Sequence, residues 1–309
     1  MTSTNEYKLG FWQFVVERQA IWHRRFRLGL PQSEWTNDLQ LQQRHFTNLF
    51  RDLDRGTRVL FTSIDRHRSS ASPAWRNFNM AFYRAVNRDT TWLETCDGWL
   101  KDFDHARACA QTIASRGLSM FTFAWERNQT LPRQLVKGVE VWNGAITHAI
   151  CQQATSLDDI LYALRGWPIL GKSGGIAGLQ HALDLTYQYS NLAGLRNQPM
   201  LIRMSGHGGG TVKKGPGAAA FRYHGINVPN VRFLDSAVQF VLRDLVKRIQ
   251  DDQDELLLRH YEHVWNVIAP TPERRLEFID VEHALCEYDK YTRNVSGMRR
   301  FRPRNELIP

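Results

Sequence analysis

Cysteine is scarce in this chain: four among 309 residues, Cys96, Cys109, Cys151 and Cys286, with no CxxC pairing. That excludes a disulfide framework and a structural zinc site, and it fits a reducing, cytoplasmic setting. No apolar run approaches the ~20 residues needed to span a bilayer, and the N-terminus lacks the basic start, apolar middle and small-residue cleavage site of a signal peptide, so no membrane partner is expected. Acidic residues are in the minority, 31 against 40 Lys plus Arg, and the formal charge of +9 favours an anionic partner such as nucleic acid over an acidic surface. Repeats of fixed period are missing, which argues against a solenoid. Hydrophobic residues, at 42%, are sufficient to bury a sizeable core.

What is present reads mostly as helix. Leu9, Trp12, Phe14, Val15, Val16, Ile21, Trp22 and Phe26 form a broad helical stripe over 8–28, closed by Gly29 and Pro31. The same periodicity predicts helices over 38–64, with an interruption at Gly56, and over 74–87, 104–116, 133–152, 156–164, 175–192, 235–249, 253–267 and 275–293. Ser69 to Pro73 reads as a connector. Met200 to Val228 is the exception, a Gly-rich run between short β-prone pieces that predicts a loop or small hairpin projecting from a helical body. The expected architecture is mainly α, one domain over 1–309 with sub-lobes at 1–155 and 156–309.

Three segments are candidates for chemistry. Phe278 to Arg293 crowds Glu282, Glu287, Asp289, Lys290 and Arg293 onto three helical turns beside an apolar stripe of Phe278, Val281, Leu285 and Tyr288. A functional site and a solvated face with ordinary ion pairs both fit that pattern. Gly166 to Ser173 spells the phosphate-loop motif G-x-x-x-x-G-K-S, but the strand that should precede it is replaced by a capped helix, Ser156 with Asp159. Helix, glycine-bearing turn, helix is the better reading, a helix-hairpin-helix-like element in which Lys172, Ser173 and Gly174 contact a DNA phosphate; a plain αα-hairpin is the alternative. His207 to Ala218, with Lys213, Lys214, Gly215 and Gly217, reads either as an anion nest or as a plain surface loop. Asp184, on a mostly apolar helix, must lie at an exposed seam or in a site.

Five separated motifs then resemble one family. Phe11-Trp-Gln-Phe-Val-Val-Glu-Arg-Gln-Ala-Ile-Trp-His-Arg-Arg25, Trp35-Thr-Asn-Asp38, Arg44-His-Phe-Thr-Asn-Leu-Phe-Arg-Asp-Leu-Asp-Arg-Gly-Thr57, Gly215-Pro-Gly-Ala218 and Cys286-Glu-Tyr-Asp-Lys-Tyr-Thr-Arg293 look like the α-glutamyl/putrescinyl-thymine pyrophosphorylases, a group that includes the helical domain associated with 5-hydroxymethyluracil DNA kinases. The resemblance runs from about residue 11 to 303 in the family's order. It implies a helical, DNA-glycosylase-like fold and a transferase of phage-type thymine hypermodification, which replaces the pyrophosphate on 5-hydroxymethyluracil in DNA with an amino acid or polyamine. It also marks Arg44, Asn48, Arg51, Asp54, Glu287, Asp289, Lys290 and Arg293 as functional positions. The chain departs from the family at Gly171-Lys-Ser-Gly-Gly-Ile, where the family reads more like Gly-x-Gly-Pro-Phe.

The chemistry so implied needs cations for a departing polyanion, for which Arg44, Arg51, Lys290 and Arg293 are the candidates, with carboxylate-held Mg2+ as an optional helper. It needs a base to take a proton from the amine, and Asp54, Asp184, Glu287 and Asp289 are the candidates. Trp35 and Tyr288 suit either a flipped base or the core. The expected partners are double-stranded DNA carrying modified thymine, a small amine donor and other DNA-modification enzymes. A base-excising helix-hairpin-helix glycosylase using Asp184, and a non-catalytic DNA-binding partner of a kinase, are the competing functions.

Overall fold

The computed structural model describes residues 4–44, 46–120, 131–171, 176–199, 212–231, 236–271 and 273–293. Among these there is no strand, and the α-helices in chain order are α1 Thr4–Trp22, α2 Leu39–Gln43, α3 Arg55–Arg66, α4 Pro73–Val86, α5 Asp89–Cys96, α6 Phe103–Ser115, α7 Leu131–Val141, α8 Gly144–Gln153, α9 Leu157–Ala163, α10 Ile176–Gln188, α11 Gly215–Tyr223, α12 Ser236–Asp251, α13 Arg259–Ile268 and α14 Phe278–Thr292. The chain is mainly α, as its periodicity predicts. It forms two compact units, one made of Met1–Asp54 with Leu201–Pro309 and the other of Arg55–Met200. These boundaries fall near 54 and 200, whereas the sub-lobes expected from sequence meet at 155.

In the discontinuous unit, α1 packs on α11, α13 and α14, and α12 closes over α11 and α14. Phe11 and Trp12 are fully buried, and the Trp12 indole donates to the Tyr223 hydroxyl at 2.9 Å, which ties α1 to α11. Tyr288 sits edge-on to Tyr7 and Phe11, so it serves the core rather than offering a face to a base. Trp35 is likewise buried, its indole donating to the Leu30 carbonyl.

The helix expected over 38–64 is broken: Asp38 caps α2 through the amides of Gln40 and Leu41, α2 stops at Gln43, and α3 begins only at Arg55. The intervening backbone is held by tertiary bonds in place of helical ones, since Arg18 donates to the carbonyls of Phe46 and Thr47 at 3.0 and 2.8 Å. The glycine-rich hairpin expected within 200–228 is, over its described part, helix α11. Pro216 presets the first turn, Ala218, Ala219 and Ala220 are strong helix formers, and the Gly215 amide finds its acceptor in Asp289 at 2.7 Å.

In the continuous unit, α4 is central, packed by α8 and α10 and flanked by α3, α5 and α7. Ser72 caps α4 by accepting from the Trp75 amide, with Pro73 in the first turn. The helix expected over 133–152 divides because Asn143 accepts from the amides of Ala145 and Ile146 and starts α8 afresh. Gly144 is required there: a Cβ at that position would lie 1.9 Å from the Ala74 carbonyl oxygen. Helix α5 lies outside the predicted set; its N-cap, Arg88, makes no side-chain capping bond, so the sequence carries no start signal for it.

Candidate active site

Helix α14 brings a cluster of ionisable groups to the discontinuous unit: Asp280, Glu282, His283, Glu287, Asp289 and Lys290. It starts at a capping box, with Asp280 accepting the Glu277 amide and Glu277 accepting the Asp280 amide. Phe278, Val281, Leu285 and Tyr288 are buried as the apolar stripe requires. The spacing 282, 286, 290 puts Glu282, Cys286 and Lys290 on one line one turn apart, and all three are half-buried.

Residues 47–54 lie across this helix. The Arg51 amide donates to Asp280 at 3.2 Å, the Thr47 amide to Glu287 at 3.4 Å, and the Thr47 hydroxyl is hydrogen-bonded to His283 Nε2 at 2.5 Å. Within the segment, the Asn48 amide and the Arg51 guanidinium both donate to Asp54, at 3.1 and 2.8 Å. Asn48 and Asp54 therefore shape the loop, and Arg51, buried, carries the charge inward against α14. Arg44 is half-buried at the end of α2, where its amide donates to Gln40.

A second constellation surrounds Asp289, which has no exposed side-chain surface. Its carboxylate accepts the Gly215 amide at 2.7 Å, Arg222 at 2.8 Å and a bidentate Arg293 at 2.9 and 2.6 Å. One buried carboxylate thus fixes the start of α11 and two arginines that are each about a third exposed, at 33% and 31%. Gly217 is buried in the first turn of α11, and Lys213 and Lys214 are exposed just before it.

The titration behaviour along α14 is uneven. Burial pushes Glu282 up to about 7 and adjacent Glu287 adds to it, while Arg51 and Lys290 pull the other way. Glu287 is also buried, yet its pairing with Lys290 and the nearness of His283 and Arg18 hold it below the usual carboxylate range. Burial lowers His283 to about 4, helped by Arg51, so it is neutral near pH 7. Burial raises the Cys286 thiol to about 12, which keeps it protonated. Burial works against charge on Lys290, but Glu287 overcomes it and holds the ammonium above its ordinary value.

Of the expected site residues, the structure groups Arg51, Glu287 and Lys290 in one arrangement, with Asn48 and Asp54 joined to it through Arg51, and Gly215, Asp289 and Arg293 in another. Lys172, Ser173 and Gly174 lie outside the described residues. Asp184 sits in the other unit, buried, with both carboxylate oxygens on Arg84 at 2.6 and 2.8 Å; it is neither the exposed seam residue nor an open carboxylate. Arg18, Thr47, Arg222 and His283 join these arrangements only in the structure, and Glu282 is set apart there by its raised proton affinity. Among the described residues, no group of three or more His, Cys, Asp or Glu side chains is arranged to hold a metal ion, and no helix is long and apolar enough to cross a membrane.

Comparison with known proteins places these features in context. The family model described as "5-hmdU DNA kinase, helical domain" matches residues 5–299. A 5-hmdU DNA kinase of Bacillus phage SP10 is 31% identical over 117 residues, an alignment that takes in 36% of this chain and 18% of that protein. The chain therefore spans less than two thirds of the length of the curated relative it matches. No solved structure matches it.

Proposed function

We propose, from the premise that this chain belongs to the 5-hmdU DNA kinase helical-domain family, that it is a DNA-modifying transferase acting on thymine that carries a 5-hydroxymethyl-derived substituent. In this reading the substrate is the pyrophosphate ester of that substituent, and an amine replaces the pyrophosphate. The nitrogen lone pair forms a C–N bond to the exocyclic methylene, the C–O bond breaks, pyrophosphate leaves with the electron pair, and the amine's proton passes to a carboxylate.

The observation that carries the reading is the meeting of residues 47–54 with α14 around Glu282. Glu282 makes no hydrogen bond among the described residues, and a carboxyl balanced near 7 can take up and release a proton at neutral pH. Arg51 and Lys290 flank it electrostatically, so negative charge gathering beside it meets fixed cations. Arg222 and Arg293, held by Asp289, offer the remaining guanidinium surface to departing pyrophosphate oxygens. Glu287, Asp289 and Asp54 have partners in place, which suits positioning rather than proton transfer and leaves a poor ligand set for Mg2+, so no step is routed through a metal.

The DNA contact belongs to the same proposal. The described part of the α9 to α10 connection, residues 164–171, is closely packed: a Cβ on Gly171 would meet the Leu164 carbonyl at 2.1 Å, and one on Gly178 in α10 the Leu170 carbonyl at 2.2 Å. Such a turn, as in the helix-hairpin-helix of glycosylase-like folds, offers amides to a backbone phosphate, with Lys172, Ser173 and Gly174 as its contacts. In the other unit, Lys213 and Lys214 are exposed cations that can meet phosphate in their own right.

A second reading, a non-catalytic DNA-binding partner of a kinase, is favoured by one observation: Lys290, Arg293 and Arg222 all have carboxylate partners already. Nucleoside mass spectrometry separates the two. DNA bearing pyrophosphorylated 5-hydroxymethyluracil, incubated with the protein and a mixture of amines, should yield an amine-substituted nucleoside and pyrophosphate in equal amounts. Release without amine, or abasic sites revealed by alkali, would exclude the transferase.

A further inference from the structure

The continuous unit holds a cavity of about 500 Å³, a size suited to a small organic ligand. Its wall is built on a fixed polar network: Asn77 donates to the Tyr189 hydroxyl at 2.8 Å, and that hydroxyl lies 2.8 Å from His148 Nδ1. These bonds lock three side chains from α4, α8 and the segment after α10, and they leave the second ring nitrogen of His148 without a partner among the described residues. Gln188 accepts from Arg68 through its oxygen, so its NH2 group remains, and Gln152 makes no hydrogen bond among the described residues. Buried Met80 supplies an apolar patch. Among the described residues Arg76 is the single charged one in the lining, and its guanidinium is anchored on the carbonyls of Arg68 and Ala71 at 2.9 and 2.7 Å.

We infer that this cavity is a binding site for a nucleobase, read through its hydrogen-bonding edge by the amides of Gln152 and Gln188 and by His148. The outstanding groups are neutral donors and acceptors lining one cavity, which suits the mixed donor and acceptor edge of a heteroaromatic ring. Met80 gives the ring an apolar contact, and Arg76 places one cation for a phosphate attached to it. Among the described residues no carboxylate lines the cavity, which disfavours an ammonium ligand such as a polyamine or the amino group of a donor. This assignment stands apart from the transferase proposal: it uses residues of the other unit and would hold for a binding module as well.

Saturation-transfer NMR on the full chain tests it, with thymidine, 5-hydroxymethyl-2′-deoxyuridine, a thymine-containing oligonucleotide and putrescine as probes. Transfer to base protons is expected, and the Gln152→Ala/Gln188→Ala variant should weaken binding about tenfold or more, since each amide bond is worth a few-fold. Gln152 is exposed and Gln188 half-buried, so the variant should fold; an unchanged melting curve checks this. Transfer to free nucleosides assigns the site to a small-molecule nucleoside, and transfer to the oligonucleotide alone assigns it to a base displayed by a strand. No transfer to any base, transfer unaffected in the variant, or displacement of nucleoside by putrescine would overturn the inference.

Discussion

Replacing Asp289 by asparagine isolates the carboxylate that organises α11 and two arginines. The substitution keeps the volume and removes the charge from a group with no exposed surface that accepts four bonds, one from the Gly215 amide and three from Arg222 and Arg293. Breaking a fully buried ion pair costs about 3–5 kcal/mol. Here the two guanidinium groups keep 33% and 31% exposure and recover part of their hydration, which lowers that term to about 2 kcal/mol. The poorer acceptor for the first amide of α11 adds about 0.5–1 kcal/mol. A loss of about 3 kcal/mol follows, or a fall in Tm of about 6–12 °C. Arg222→Met and Arg293→Met should each cost less, because the remaining arginine still neutralises Asp289, and a double-mutant cycle should show coupling of at least about 0.5 kcal/mol. Urea denaturation of the parent, Asp289→Asn, the two single arginine variants and the double arginine variant measures this. An Asp289→Asn protein within about 0.5 kcal/mol of the parent, or single arginine variants less stable than it, would refute the hub.

Other outcomes follow from the same geometry. Glu282, raised to about 7 from 4.5, keeps a proton in the folded protein that the unfolded chain has lost in that window, so stability should fall as pH rises across it. Glu282→Gln should flatten that slope in pH-dependent denaturation, and a slope that persists would remove Glu282 as its source. Arg84→Met should destabilise more than the Arg84→Met/Asp184→Leu pair, because the single change strands a buried carboxylate; melting curves decide it. Gly144→Ala drives a methyl into the Ala74 carbonyl and should cost about 1–3 kcal/mol in urea titration. Lys213→Ala/Lys214→Ala should lower the slope of log K against log salt for duplex DNA by about 2, with little change in stability.

The helical character, the capped start of α9 and the apolar face of α14 were legible because each is encoded within a few residues. The capping pair of Ser156 with Asp159 is a local signal of that kind, whereas Asn143, which accepts the amides of Ala145 and Ile146, was hidden by the continuous periodicity over 133–152. Helix α11 was not, since the acceptor for its first amide is Asp289, 74 residues away. The break between α2 and α3 depends on Arg18, whose bonds to Phe46 and Thr47 span 28 and 29 residues. Glu282 was visible as a charge on a helix, but its altered proton affinity comes from burial and from its neighbours, which no spacing rule states. Asp184 shows the reverse: an isolated acid on an apolar helix suggests a site until Arg84, 100 residues earlier, is seen to take both its oxygens.

Chemistry at the modified base decides the account most directly. Pyrophosphate release from DNA carrying the activated thymine ester should be followed at pH 8 with the parent protein and with Glu282→Gln, each with and without added amines, and the nucleosides weighed afterwards. The account predicts release that requires an amine, a matching gain of that amine's mass on the base, and loss of both in Glu282→Gln. Equal turnover by the variant, or release that ignores the amine, would contradict it.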